Sequence, residues 1–89
     1  MARITFTQQL ARFTSVPEVE SAAPILRAGL EDAFARNPTL RGYVLDDQGH
    51  LRENVVVFID GRRCTERNKL DDPLKPDSTV YVLQALSGG

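Results

Sequence analysis

The sequence predicts an α+β roll, in which one amphipathic helix packs against a mixed β-sheet. Three observations carry that expectation. Short stretches of period-2 or β-branched apolar residues stand near both ends of the 89-residue chain. A single segment with 3.6-residue periodicity lies between them. The first and last strand-like runs are both apolar enough to sit in the middle of a sheet, and parallel pairing of the two would let the chain leave from the sheet's centre.

The elements follow in order. Arg3-Ile4-Thr5-Phe6-Thr7 alternates, with Ile4 and Phe6 toward a core and the polar residues outward. Gln8 to Pro17 breaks the alternation and reads as an irregular connection anchored by Leu10, Phe13 and Val16, before a short strand at Glu18 to Glu20. From Ser21 the period changes. Ile25, Leu26, Gly29, Leu30, Ala33 and Phe34 line one face of a helix expected over residues 22–36, with Arg27, Glu31, Asp32 and Arg36 on the other. Ser21 is the expected N-cap, Pro24 falls in the first turn, and Asn37-Pro38 ends the helix. Gly42-Tyr43-Val44-Leu45 and Leu51-Arg52 flank the polar stretch Asp46 to His50, which predicts a small hairpin turning at Gly49. Val55-Val56-Val57-Phe58-Ile59 suits a central strand closed by the turn Asp60-Gly61. Thr65 to Ser78 reads as a polar connection anchored by Leu70 and Leu74, and Thr79 to Leu83 as the last strand.

Bulk properties narrow the function. Eleven Lys and Arg against twelve Asp and Glu leave a formal charge of −1, so no net positive field draws in nucleic acid or an anionic membrane. No apolar run approaches the roughly 20 residues of a membrane span, and the first residues lack a secretory signal's apolar segment. A cytoplasmic protein, monomeric when free, is expected. Cys64 is the only cysteine, which excludes a disulfide framework or a cysteine-ligated metal cluster. It is expected to be a structural or surface thiol, and His50 a loop residue. The acid pairs Asp46-Asp47 and Asp71-Asp72 are read as turn and capping residues. No phosphate-binding glycine loop is present. Nothing in the chain assembles an enzyme's nucleophile, base or metal site.

The sequence given ends in Leu86-Ser87-Gly88-Gly89. Glycine has no β-carbon, so Gly88-Gly89 could thread a narrow channel and present a terminal carboxylate without a side chain blocking attack at its carbonyl. A carboxylate needs activation, for instance as an anhydride with AMP, by a partner supplying ATP and Mg²⁺. The other reading of these glycines is a frayed end. The last strand bears on the choice. Val80 and Val82 share one side, Tyr81 and Leu83 the other, and Val56 and Phe58 likewise oppose Val55, Val57 and Ile59. One helix covers one side of a sheet. If Val80 and Val82 face it, Tyr81, Leu83 and Phe58 form an uncovered patch beside the tail, unless the connections 8–17 or 65–78 fold over it.

The residues resemble the MoaD/ThiS family of ubiquitin-like sulfur carriers across nearly the whole chain. The carrying features are Arg3-Ile4-Thr5-Phe6, the helix with Ile25-Leu26 and Leu30, the stretch Leu51 to Gly61, Leu74 and Asp77 before Val80, and Gly88-Gly89. The insertion Tyr43 to Arg52 makes the chain most similar to the longer members, which include cysteine-synthesis and molybdopterin-synthase types. Asp60 stands where the family often has asparagine, Pro76-Asp77-Ser78 replaces a glycine-aspartate turn, and Leu86-Ser87 replaces a smaller apolar pair. The resemblance implies a β-grasp domain over residues 1–86 and a reactive tail over 87–89. It implies a non-enzymatic carrier that binds no cofactor itself. A MoeB/ThiF-like, ubiquitin-activating-type enzyme would adenylate Gly89 using ATP and Mg²⁺, and the thiocarboxylate formed there would serve a sulfur-accepting biosynthetic enzyme. Gly88 and Gly89 would then be the reacting end, with Ser87, Leu86, Leu83 and Phe58 contacting partners. Two rivals stand beside it. One is a ubiquitin-like modifier forming isopeptide bonds through Gly89, and the other an interaction domain with an inert tail.

Overall fold

A computed structural model describes residues 1–14 and 16–84. Its first strand, β1 (Ala2–Phe6), buries Ala2, Ile4 and Phe6 and turns Arg3 outward, as the alternation requires. The connection that follows is more regular than its sequence suggests. Gln8–Phe13 forms a 3₁₀ helix, with Leu10 fully buried but Phe13 42% exposed, so Phe13 is not the core anchor expected. β2 (Glu18–Ser21) runs antiparallel to β1 and buries Val19.

The main helix, α1, spans Leu26–Arg36, four residues shorter at its start than the expected 22–36. Ser21 does not cap it. This residue ends β2, and its hydroxyl donates to Asp32 at 2.6 Å while accepting from the Ala23 N–H at 3.0 Å. Residues 22–25 are not helical, and the segment around Pro73 and Leu74 meets their backbone. The Leu74 N–H donates to the Pro24 carbonyl at 2.8 Å, and Ile25 bridges Pro73. The same segment caps the helix, its carbonyls at Asp72 and Leu70 accepting from the Leu26 and Arg27 N–H groups at 2.9 and 2.8 Å. Leu70 adopts φ 55° to present that carbonyl. A buried leucine in the left-handed region costs about 1 kcal/mol, a cost borne by burial of its side chain.

Asn37-Pro38 does stop α1, but the chain immediately restarts as a helix. Asn37 donates its N–H to Ala33 and Phe34, while its side-chain amide reaches Val16 O at 3.0 Å and Ala33 O at 3.2 Å. Pro38 then opens α2 (Pro38–Val44), where its missing N–H costs nothing. Gly42 to Leu45 is therefore not the first arm of a hairpin. Leu40 and Val44, one helical turn apart, are both fully buried, and this spacing outweighs the short strand-like run. The reversal survives as an isolated bridge between Leu45 and Leu51 around Gly49, whose φ is 80°.

β3 (Val55–Ile59) is followed by the turn Asp60-Gly61, both residues at positive φ, and by a two-residue strand absent from the sequence reading, β4 (Arg62–Arg63). β5 (Thr79–Gln84) completes the sheet in the order β2-β1-β5-β3-β4. β1 and β5 are adjacent and parallel, and β5 is antiparallel to β3. First and last strands are thus central, as expected. Leu26, Leu30, Ala33 and Phe34 of α1 pack with Leu40, Leu70 and Leu74 on the side of the sheet presented by Ile4, Phe6, Val55, Val57, Val80 and Val82. Gly29 lets the layers close, since a Cβ there would lie 3.0 Å from Ile4 Cδ1 and 3.1 Å from Leu74 Cδ1. The expected domain limit at residue 86 lies outside the described residues.

Candidate functional site: the root of the tail and the open sheet face

β5 is hydrogen-bonded on both sides. Its last residue, Gln84, pairs with Val55, and the Thr7 N–H donates to Val82 O at 3.0 Å. Chain leaving Gln84 therefore departs from mid-sheet. At its other end β5 is pinned by Asp60, whose carboxylate accepts from the Ser78 hydroxyl at 2.8 Å and the Thr79 N–H at 2.9 Å. The Thr79 N–H, then the Ser78 hydroxyl, hold that carboxyl below its usual pKa range.

The side of the sheet away from α1 is open. Val80 and Val82 are fully buried, whereas Tyr81 between them is 45% exposed. Phe58, Val56 and Leu83 are half-buried. The register aligns Glu18, Thr5, Tyr81, Phe58 and Arg63 in one row across five strands, and Leu83 with Val56 in the next. An apolar centre thus lies between an edge where Glu18 and Glu20 of β2 meet Arg3 of β1, whose Nε is 3.5 Å from Glu18, and a basic edge at Arg63 of β4. Among the described residues, neither long connection covers it. Leu10 of the first and Leu70 and Leu74 of the second insert among the residues on the α1 side.

Leu83 and Phe58 accordingly lie on one uncovered face, with Tyr81 between strands as its most exposed member. Leu86, Ser87, Gly88 and Gly89 lie outside the described residues. The remaining candidates have structural settings. Cys64 is buried, its thiol 3.3 Å from Glu66 O, and desolvation followed by the nearby Asp72 carboxylate pushes its pKa up to about 11. Such a thiol is a poor nucleophile at neutral pH. Asp46 accepts the N–H groups of Gln48 and His50, at 2.9 and 3.0 Å, which makes it a turn residue as read. Among the described residues no cluster of three or more His, Cys, Asp or Glu could hold a metal ion, and no helix is long and apolar enough to cross a membrane.

A feature the sequence reading missed lies at the same end of the molecule. Phe13 and Tyr43 stack with ring centroids 4.2 Å apart and planes within 9°. Thirty positions separate them in sequence, so no local pattern signals the pair.

No family model and no curated protein matches the chain. Solved structures do. A chain of the Amycolatopsis orientalis BexX/CysO complex superposes with a TM-score of 0.84 at 17% identity, covering 100% of each chain. SAMP1 from Haloferax volcanii gives 0.81 at 18%, covering 99% of this chain and 98% of that one. A protein described as a putative molybdopterin converting factor, subunit 1, from Pyrococcus furiosus gives 0.71 at 19%, covering 96% and 97%. Identities this low establish shared architecture, and with the parallel central pair β1 and β5 the fold of this chain is the β-grasp, or ubiquitin-like, fold.

Proposed function

We propose that this protein is a sulfur carrier whose Gly89 carboxylate is activated and thiolated by partner enzymes. The observation that carries the reading is the place of β5, a central strand beside an open apolar face whose last residue, Gln84, stands shortly before Gly88-Gly89 in the sequence. A folded handle with a docking face at the root of a side-chain-free end suits an acyl group that must enter another protein's active site. In the first step a carboxylate oxygen of Gly89 attacks the α-phosphorus of ATP and pyrophosphate leaves. ATP and Mg²⁺ belong to the activating enzyme, which docks on Tyr81, Leu83 and Phe58 and draws in Leu86 to Gly89. Hydrosulfide, or its equivalent from a sulfur donor, then attacks the acyl carbon and AMP departs. The thiocarboxylate left at Gly89 is a stronger nucleophile than a carboxylate and passes its sulfur to an acceptor enzyme. The likeness to chains of a CysO complex and of a protein titled molybdopterin converting factor supports the carrier role. A need for ATP and reduced sulfur suits the cytoplasm.

The test is intact mass after incubation with ATP, Mg²⁺, sulfide and the activating enzyme. The carrier reading requires an oxygen-to-sulfur mass increment confined to Gly89, and an unchanged mass rejects it. The likeness to small archaeal modifier protein 1 favours a second reading, isopeptide conjugation through the same residue. Higher-mass conjugates that vanish on deletion of Gly88-Gly89 would identify it.

A further inference from the structure

The open sheet face is apolar at its centre and charged at its edges, and the order of those groups is self-complementary. We propose that it pairs with the same face of a second copy of this chain, about a two-fold axis running along β5. The pairing itself stands without the carrier reading, while its consequence for loading rests on that reading.

The place of β5 sets the symmetry. It is the middle strand of the five, with two strands on either side. A half-turn about an axis along β5, with the open faces toward each other, keeps the strand direction and reverses the strand order. The row Glu18, Thr5, Tyr81, Phe58 and Arg63 then meets its own reverse. Tyr81 lies on Tyr81 of the second copy, the larger Phe58 faces the smaller Thr5, and Arg63 faces Glu18. Each unlike contact occurs twice. In the next row Leu83 meets Leu83. Sheets packed face to face stand about 10 Å apart, a gap that arginine and glutamate side chains span together, and they cross at about 30°, within reach of long side chains at the edges.

Charge selects this axis over others. Among the described residues Arg63 and Glu20 form no ion pair. Glu18 does meet Arg3, but through one nitrogen at 3.5 Å with both side chains more than half exposed, a weak contact that leaves two carboxylates against one guanidinium at this edge. Arg3 is accommodated too. It pairs with Thr79, and Asp60 flanks Thr79 on the other side with its carboxylate on the Thr79 N–H, so the rotation brings Arg3 toward Asp60 of the second copy. A two-fold axis laid across the strands would instead set Glu18 against Glu18 and Arg63 against Arg63, which repel.

The size of the face sets the strength. Five strands spaced about 4.8 Å apart give an interface that buries on the order of 700 Å² over both copies, below the roughly 1,200 Å² of a stable complex. The dimer is therefore weak, so the chain is a monomer when dilute and pairs as it accumulates. Pairing covers Tyr81 and Leu83, so a copy in the dimer cannot hold the activating enzyme on that face. Carrier in excess of its loading enzyme thus keeps its apolar face from water and from unrelated proteins.

Sedimentation of the full chain from micromolar to millimolar concentration reads the mass in solution. Wild type should rise from one copy toward two. Glu18→Arg and Arg63→Glu, each alone, set like charges together at both ends of the row and should raise the concentration needed by about tenfold or more. An equimolar mixture of these two variants should associate again at the wild-type concentration, because the reversed charges complement each other across the hybrid dimer. That recovery also shows that both variants fold. Tyr81→Glu should abolish association. Wild type that stays a single copy at millimolar concentration overturns the proposal, as does a mixture no better than its components or a Tyr81→Glu chain that still pairs. If wild type pairs but never gains sulfur from ATP, sulfide and the activating enzyme, the carrier reading fails while the dimer stands.

Discussion

The two sides of β3 and β5 have nearly the same chemistry and opposite fates. Val55, Val57, Val80 and Val82 on one side are sealed from water, while Val56, Phe58, Tyr81 and Leu83 on the other are partly open to it. Alternation cannot tell these sides apart, because both are apolar. The difference comes from elsewhere in the chain, from which side α1, α2 and the connection 65–78 cover. An uncovered apolar side in an otherwise well-sealed sheet is what the proposed docking role requires.

The contrast can be broken most severely from the sealed side. Val82→Asp puts a carboxylate among residues with no water and no partner, a cost of several kcal/mol that rivals the stability of a domain this small. The expected result is loss of the cooperative thermal transition. A smaller effect should come from the fastening of the covering layer. Arg27 of α1 donates to the carbonyls of Lys69, Gly49 and Asn68 at 3.0, 2.8 and 2.6 Å, tying two loops to the helix. Arg27→Ala should cost about 2 kcal/mol in urea unfolding, since charged donors to carbonyls contribute more than neutral ones but these are partly solvated.

Smaller again is a pH effect at the start of β5. The folded-state pKa of Asp60 is lowered, so its contribution to stability is present above the unfolded value and is lost as pH falls through the folded one. Asp60→Asn should flatten the acid side of the curve of melting temperature against pH. An identical acid slope in both proteins would contradict the role given to the Ser78 and Thr79 bonds. The smallest stability effect should come from the open side. Tyr81→Ser should shift unfolding by no more than about 0.5 kcal/mol, as exposed positions do, while abolishing thiolation. Together with Val82→Asp, that result would separate two adjacent residues of one strand into folding and docking roles.

Much of the architecture was legible because it rests on period. The alternation of Arg3 to Thr7, the apolar run at Val55 and the last strand all became strands, and the Leu26 to Phe34 spacing became a helix. Two misreadings have a common physical cause. Ser21 looked like an N-cap and Gly42 to Leu45 like a strand, because each local pattern was taken without its distant partner. Carbonyls at 70 and 72 fix where α1 begins, and Leu40 paired with Val44 makes the second segment helical. The open face was half legible. Sequence separates the two sides of β5, but only packing decides which is sealed. The stacking of Phe13 on Tyr43 was not legible at all, since it arises where two short helices meet.

The placement of β5 also has a mechanical side. Its hydrogen-bond ladders to β1 and β3 run along both edges, so a pull on the chain beyond Gln84, directed along the strand, loads those ladders in shear. Bonds in shear must slip together, whereas an edge strand peeled sideways would lose them one at a time. A pull on the last residues would therefore leave the body that carries them zipped.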